Sequence, residues 1–155
     1  MRAYVGLGAN LGDREATIRE AVALLDAAPA IRVVSISSLR ETEPWGPVEQ
    51  PDYLNGAVEL ETELDPRTLL GVLLDVELQL GRTRTGERFG PRTIDLDLLV
   101  VEGVECGESG LTLPHPRLHE RRFALEPLHE LAPDLVVPGR GAVSELLAAL
   151  EAEEA

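Results

Sequence analysis

Asp95 and Asp97 are two acidic residues separated by one position within the hydrophobic stretch 93–101. Apolar residues alternate with them and predict a β-strand, in which both carboxylates project from one face, about 7 Å apart at Cα. Such a pair can hold one hard cation, or two cations bridged by phosphate oxygens, because Mg²⁺ commonly binds one or two carboxylates together with substrate phosphates. A pair of solvated aspartates is the alternative, although aspartate is depleted in strands and adjacent like charges repel.

Arginines are concentrated on both sides of this predicted strand. All 14 basic residues are arginine, and seven of them lie between positions 82 and 122. Four of the seven share the segment 82–92 with two glycines: Arg82, Arg84, Arg88 and Arg92. Arginine forks match phosphate oxygens, and glycine allows the backbone to approach a ligand closely. Because phosphoryl transfer depends on positioning and on charge stabilisation by Mg²⁺ and arginine, the segment and the aspartates together predict such a site. Ion pairs with the many glutamates are the alternative for the arginines.

The composition excludes several classes of function. A formal net charge of −14 disfavours generic binding to nucleic acid or to an anionic membrane. No apolar run approaches the roughly 20 residues that span a bilayer, and the first residues do not resemble a signal peptide, so we expect a cytoplasmic protein. The single cysteine, Cys106, excludes an intrachain disulfide and a cysteine-rich zinc site. Without lysine, a P-loop is excluded as well.

The elements that position these residues follow from hydrophobic periodicity and from turn residues. The predicted strands are 3–8, 31–42, 53–62 and 93–101, and the predicted helices are 14–28, 66–80, 118–130 and 142–153. Asp65 followed by Pro66 is typical of a helix start. In the last long strand, Leu98 and Val100 are expected on the face opposite the aspartates.

The order of these elements predicts the fold. A β-α-β-β-α-β sequence with a helical C-terminal extension is typical of an α+β, ferredoxin-like split βαβ fold, in which an antiparallel sheet carries helices on one face. The length of 155 residues fits a single domain, residues 1–155. Because this fold hosts many unrelated activities, it does not identify the function.

Several separated motifs resemble one family, the 6-hydroxymethyl-7,8-dihydropterin pyrophosphokinases of folate synthesis. The motifs cover nearly the whole chain and occur in the family's order: Tyr4-Val-Gly-Leu-Gly-Ala-Asn-Leu-Gly12, Glu41-Thr-Glu-Pro-Trp-Gly46, Gln50-Pro-Asp-Tyr-Leu-Asn55, Arg88-Phe-Gly-Pro-Arg-Thr-Ile-Asp-Leu-Asp-Leu-Leu99 and Leu113-Pro-His-Pro-Arg-Leu118. The resemblance implies transfer of pyrophosphate from ATP to the hydroxymethyl group of the pterin. It also implies a monomer, and the net charge of −14 indicates no nucleic acid and no membrane as partners.

The resemblance further implies a phosphate-binding half of the site. Asp95 and Asp97 would bind two Mg²⁺ ions between the ATP phosphates and the pterin alcohol. Arg82 and Arg92 would stabilise the phosphates and the transition state. The remaining nucleotide contacts implied are Glu77, Arg84, Leu98, Thr112, His115 and Arg121.

A pterin-binding half is implied by the same motifs. Tyr53 and Phe123 would enclose the ring and Asn55 would bind its polar edge, with further contacts implied from Thr42, Glu43, Trp45, Phe89 and Asp95. The distribution of aromatic residues supports a ring site, because four of only five lie in or beside the inferred site. The chain departs from the family pattern at four positions: Leu74, Phe89, Gly110 and Pro116.

Two other functions are compatible with the same topology. A non-catalytic ligand sensor would not need an aspartate pair beside an arginine segment. An RNA-binding module would carry exposed aromatic and basic residues on its strands, whereas this chain is strongly acidic and its strands carry almost none. AMP release that requires both Mg²⁺ and the pterin would distinguish the three.

Overall fold

The computed structural model describes residues 1–10, 13–42, 52–81 and 94–154. Its strands are β1 (Arg2–Ala9), β2 (Ile31–Ile36), β3 (Arg40–Thr42), β4 (Tyr53–Thr62), β5 (Asp95–Val101), β6 (Cys106–Glu108), β7 (Leu111–Leu113), β8 (Val136–Val137) and β9 (Gly141–Ala142). Its helices are α1 (Arg14–Ala27), α2 (Pro66–Gly81), a 3₁₀ turn (Leu118–Glu120), α3 (Arg122–Leu131) and α4 (Val143–Glu154). No helix of this described part is both long and apolar enough to cross a bilayer.

The main sheet has the strand order β2-β4-β1-β5, with β3 also paired to β4. All of these pairings are antiparallel. Together with α1 and α2 between the strands, this order confirms the expected ferredoxin-like α+β fold. Asp65 caps α2 as expected, because its Oδ1 accepts a hydrogen bond from the Thr68 N–H at 2.9 Å.

The single strand predicted for 31–42 is wrong, since β2 and β3 are separated at Ser37. The Ser37 N–H donates to the Ala57 carbonyl at 2.9 Å, and the Ser37 hydroxyl accepts from the Ala57 N–H at 2.8 Å. A side chain therefore takes the place of a backbone carbonyl, which interrupts the ladder. A register shift between Val33 and Ser35 adds to the irregularity.

The core lies on both faces of the sheet, not on one. Side chains from α1, α2 and one face of the strands form the larger cluster, which includes Ile18, Leu25, Leu60, Leu69 and Leu73. The other face packs against α3, with α4 behind it, and this cluster includes Tyr4, Ala57, Leu125, Leu128 and Val143. The C-terminal extension thus completes a second hydrophobic layer.

The expected alternation along β5 fails at its end. Leu96 and Leu98 pack in the larger cluster as predicted, but Leu99 and Val100 both lie in the second one. A register shift in the pairing with β1, between Tyr4 and Val5, accounts for the change of face.

The C-terminal half also differs in detail from the sequence prediction. β6 and β7 pair as a hairpin, which is not among the strands predicted from the sequence. The predicted helix 118–130 is a 3₁₀ turn followed by α3, because Arg121 between them has extended backbone angles.

Candidate active site

A cavity of about 960 Å³ lies over the sheet face that carries Asp95 and Asp97. Eight of the residues predicted for the site line it: Thr42, Tyr53, Asn55, Asp95, Asp97, His115, Arg121 and Phe123. They come from three strands, the segment before the 3₁₀ turn, and the start of α3. The fold therefore brings residues up to 81 positions apart, from Thr42 to Phe123, into one concave surface.

The floor of the cavity is set by strand register. Gly8 in the central strand β1 is paired with Asn55 of β4 on one side and with Asp95 of β5 on the other. Gly6 is paired in the same way with Asp97. The expected metal-binding carboxylates and the expected pterin-binding amide are thus separated by one glycine-bearing strand.

Gly8 is required by close packing. A Cβ atom there would lie 3.0 Å from Asn55 Nδ2 and 3.8 Å from a ring carbon of Tyr53. Sequence reasoning did not assign Gly6 or Gly8 to the site. The available signal was the presence of two glycines within a strand, which often marks a close approach of backbone or ligand.

Asn55 is held in a fixed orientation. It is 9% exposed, and its Oδ1 accepts a short hydrogen bond from the Thr42 hydroxyl. Thr42 also lies directly opposite Tyr53 in the pairing of β3 with β4. The ring of Tyr53, the amide of Asn55 and the ring of Phe123 therefore line one part of the cavity, where a flat ligand with a polar edge can bind.

Asp97 lies beside a cation. Arg121 Nη1 is 3.8 Å from Asp97 Oδ2, and both side chains remain partly exposed, at 27% and 47%. The Arg121 guanidinium carbon is also 5.5 Å from the centre of the Phe123 ring. Arg121 can therefore bind an anionic ligand at the point where the acidic and aromatic parts of the cavity meet.

The acidic side chains of the cavity suit Mg²⁺ better than a metal that needs a full protein ligand set. Across the four described ranges, no group of three or more His, Cys, Asp and Glu side chains could hold a metal. Two partly exposed carboxylates on one strand face nevertheless fit Mg²⁺, since that ion usually takes its other ligands from water and substrate phosphates. The residues present thus suit an ion that binds together with a nucleotide.

His115 is held by two backbone contacts. The backbone N–H of His115 donates to the Leu99 carbonyl at 2.8 Å, and its ring Nδ1 accepts from the backbone N–H of Arg117 at 3.2 Å. Burial lowers the pKa of His115. The carboxylate of Asp97 raises this pKa, but the positive charges of Arg121 and Arg117 lower it further. The ring is therefore held neutral at pH 7, with its proton on Nε2.

Three expected nucleotide contacts do not line the cavity. Glu77 Oε2 accepts from the Leu96 N–H at 2.7 Å and so fixes β5 between the two aspartates. Leu98 is 6% exposed and packs in the larger core cluster, while Thr112 is exposed on β7. Their roles stay predictions. Six other expected site residues lie outside the described ranges: Glu43, Trp45, Arg82, Arg84, Phe89 and Arg92.

Residues from α4 complete the cavity wall. Leu146, Leu150 and Glu153 line it together with His119, and none of these four is among the site residues predicted from the sequence. No local pattern could have assigned them to the site, because the sequence around these positions is typical of an ordinary amphipathic helix.

The comparisons with known proteins all point to the same family. The model of the family described as 7,8-dihydro-6-hydroxymethylpterin-pyrophosphokinase (HPPK) matches residues 4–133. A 2-amino-4-hydroxy-6-hydroxymethyldihydropteridine pyrophosphokinase of Methylorubrum extorquens is 49% identical over 150 residues, which cover 97% of this chain and 94% of that protein. The protein of the same name from Bacillus subtilis is 47% identical over 129 residues, 83% of this chain and 77% of that protein.

Solved structures support the fold. The wild-type HPPK-DHPS of Plasmodium falciparum, crystallised with pterin and p-hydroxybenzoate, superposes with a TM-score of 0.73 at 15% identity. The match covers 98% of this chain and 43% of that one, so the chain spans less than half the length of this solved protein.

Proposed function

This chain belongs to the 7,8-dihydro-6-hydroxymethylpterin-pyrophosphokinase family, and from that membership we propose how its cavity carries out the family's reaction. It is a pyrophosphokinase of folate biosynthesis, and it transfers pyrophosphate from its co-substrate ATP to the hydroxymethyl group of hydroxymethyldihydropterin. The assignment of roles to individual residues is the proposal.

One observation carries the residue assignment. Gly8 separates Asn55 from Asp95 in a single row across three strands. A pterin ring bound by Asn55, Tyr53 and Phe123 would therefore place its hydroxymethyl group next to the aspartates. This proximity is what transfer requires, because the acceptor oxygen must reach a phosphorus atom whose charge is balanced nearby.

Asp95 and Asp97 are the proposed ligands of two Mg²⁺ ions. When bound, such ions neutralise phosphate charge and polarise the phosphorus–oxygen bonds. The two carboxylates hold this position because Glu77 and the pairing with β1 fix β5 on both of its edges.

Arginine and histidine side chains are the proposed phosphate ligands. Arg121 and the neutral His115 line the cavity beside Asp97, where each can donate a hydrogen bond to a phosphate oxygen. Arg82 and Arg92 would stabilise the transition state, with Arg84 and Phe89 in the same segment. Glu77, Leu98 and Thr112 remain the proposed further nucleotide contacts, and Thr42, Glu43 and Trp45 the further pterin contacts.

The proposed chemical step is a direct displacement. The hydroxymethyl oxygen forms a bond to the β-phosphorus of ATP and loses its proton to solvent, while the bond from that phosphorus to the bridging oxygen of the α-phosphate breaks. AMP leaves with the bridging oxygen, and no covalent enzyme intermediate is required. A single monomeric domain acting in the cytoplasm is part of the same proposal.

The test is AMP release measured with each component omitted in turn. Purified protein should form AMP and pterin diphosphate from ATP only when both Mg²⁺ and 6-hydroxymethyl-7,8-dihydropterin are present. AMP formation without the pterin, or γ-phosphate release as the main reaction, would contradict the proposal.

A further inference from the structure

Arg14, the first residue of α1, contacts the chain on both sides of the segment 43–51. Its Nη2 donates to Glu41 Oε1 at 2.5 Å, and its Nη1 donates to the Asp52 carbonyl at 2.8 Å. The Arg14 side chain is 27% exposed. One guanidinium therefore joins two positions that are separated by eleven residues in sequence.

Each of these two positions adjoins a residue of the cavity. Thr42 follows Glu41, and Tyr53 follows Asp52, and the two form a directly opposed pair at the end of the β3–β4 ladder. Thr42 in turn donates its hydroxyl hydrogen bond to Asn55. The contacts of Arg14 are thus one residue away from the side chains that enclose and orient the proposed pterin.

β3 by itself does little to restrain the position of Thr42. β3 has three residues, and among the described residues it pairs only with β4. In contrast, α1 is anchored in the larger core by Ile18 and Leu25, which are fully buried. Its start is fixed by Asp13, whose side chain accepts from the Ala16 N–H at 3.1 Å. Arg14 therefore connects a short strand end to a firmly anchored helix.

We propose that Arg14 is a positioning residue for the pterin half of the cavity, an inference that rests on the proposed function. The planar guanidinium suits this task because it presents two donors in a fixed geometry, one to a carboxylate and one to a carbonyl. It acts through Glu41 and Asp52 on Thr42 and Tyr53.

The experiment compares Arg14→Ala and Arg14→Lys with wild type and with Arg19→Ala. Arg19 is a matched control, because it lies on the same helix and forms an exposed ion pair with Glu15 at 3.0 Å, away from the cavity lining. Arg14→Ala is expected to raise the KM for hydroxymethyldihydropterin roughly tenfold, about 1.4 kcal/mol. The KM for ATP and kcat should stay within about twofold of wild type. Lysine should restore part of the loss, since it keeps the positive charge but lacks the planar fork that reaches both acceptors in a fixed geometry.

A double-mutant cycle identifies the route of the effect. If Arg14 acts through Glu41, Glu41→Ala alone should raise the same KM, and adding it to Arg14→Ala should add little. Direct binding gives a second readout: the fluorescence of 6-hydroxymethylpterin is titrated in the presence of Mg²⁺ and α,β-methylene-ATP. In this ATP analogue the bond that transfer would break is replaced, so the bound complex does not react.

Two results would overturn the inference. One is a lower melting temperature for Arg14→Ala with unchanged pterin KM and unchanged fluorescence titration. The other is an equal rise in the KM for both substrates. Failure of the proposed function is distinguishable, because wild type and Arg19→Ala would then form no AMP, while the fluorescence titration would still report whether Arg14 affects pterin binding.

Discussion

Replacing Gly8 by alanine is expected to weaken pterin binding while leaving ATP binding intact. Gly8 occupies the floor of the cavity between Asn55 and Asp95. Its backbone lies in an ordinary extended strand, which alanine can adopt. The added methyl group therefore acts through space, and the nearest atom that it meets is Asn55 Nδ2 at 3.0 Å.

The size of the effect follows from that distance. A methyl carbon normally approaches another heavy atom to about 3.5 Å, so the Asn55 amide must move by about 0.5 Å. The amide cannot move freely, because Asn55 is 9% exposed and accepts a hydrogen bond from Thr42. Since a misplacement of about 1 Å can cost about a hundredfold in rate, half of that distance is expected to cost about tenfold in kcat/KM for the pterin.

The stability of the fold should change only modestly. Crowding in a packed site costs about 1–3 kcal/mol, while the loss of backbone freedom in the unfolded chain returns about 0.4–1 kcal/mol. Gly8→Ala is therefore expected to lower the free energy of unfolding by no more than about 2.6 kcal/mol, measured by urea denaturation.

The assay is steady-state kinetics with each substrate varied in turn. Gly71→Ala is the matched control, because Gly71 lies on α2 and a Cβ there meets no atom within 4 Å. It should leave both KM values unchanged and should stabilise the helix by up to about 1 kcal/mol. An unchanged pterin KM in Gly8→Ala, at normal stability, would refute the reasoning that the row of Asn55, Gly8 and Asp95 forms the pterin floor.

Three further predictions concern charged and buried groups. Asp95→Asn or Asp97→Asn should abolish pyrophosphate transfer without changing the circular dichroism spectrum, and near-normal turnover in either variant would contradict the metal assignment. Hydrogen bonds from Ser38 lower the pKa of Glu130 below its usual 4.5. The stability that Glu130 contributes is therefore present above pH 4.5 and is lost as the pH falls through the folded-state pKa. Glu130→Gln should reduce this loss of the free energy of unfolding at acidic pH, measured by denaturation at a series of pH values. Burial, assisted by nearby glutamates, raises the pKa of Tyr4 from 10.0 to about 12, so its contribution is present below pH 10 and is lost between pH 10 and 12. Tyr4→Phe should remove that alkaline loss, and an unaltered alkaline limb would show that another group causes it.

Short-range patterns in the sequence determined much of this protein. Alternation with apolar residues placed Asp95 and Asp97 on one strand face, and both line the cavity. Asp65 and Pro66 defined the start of α2. These features were predictable because a strand face or a helix cap depends only on residues a few positions apart.

Strand register could not be predicted in the same way. The sequence of β1 alone does not predict that Gly8 lies between Asn55 and Asp95. The register of β1 depends on its pairing with segments 47 and 87 residues further along the chain. The shift that places Val100 beside Leu99 in the second core cluster has the same long-range origin. So does the break at Ser37, where the Ser37 hydroxyl replaces a backbone carbonyl as the acceptor for the Ala57 N–H of β4.

The sequence by itself therefore determined which side chains can do the chemistry: two carboxylates on one face, arginines before and after them, and a few aromatic residues in the neighbouring motifs. Only the tertiary structure decided how they are arranged. It placed Gly8 in the floor of the cavity, added the wall from α4, and joined Arg14 to Glu41 and to the Asp52 carbonyl. The physical reason is that local chemistry is a property of neighbouring residues, whereas the shape of a cavity depends on how separate elements pack against a shared core.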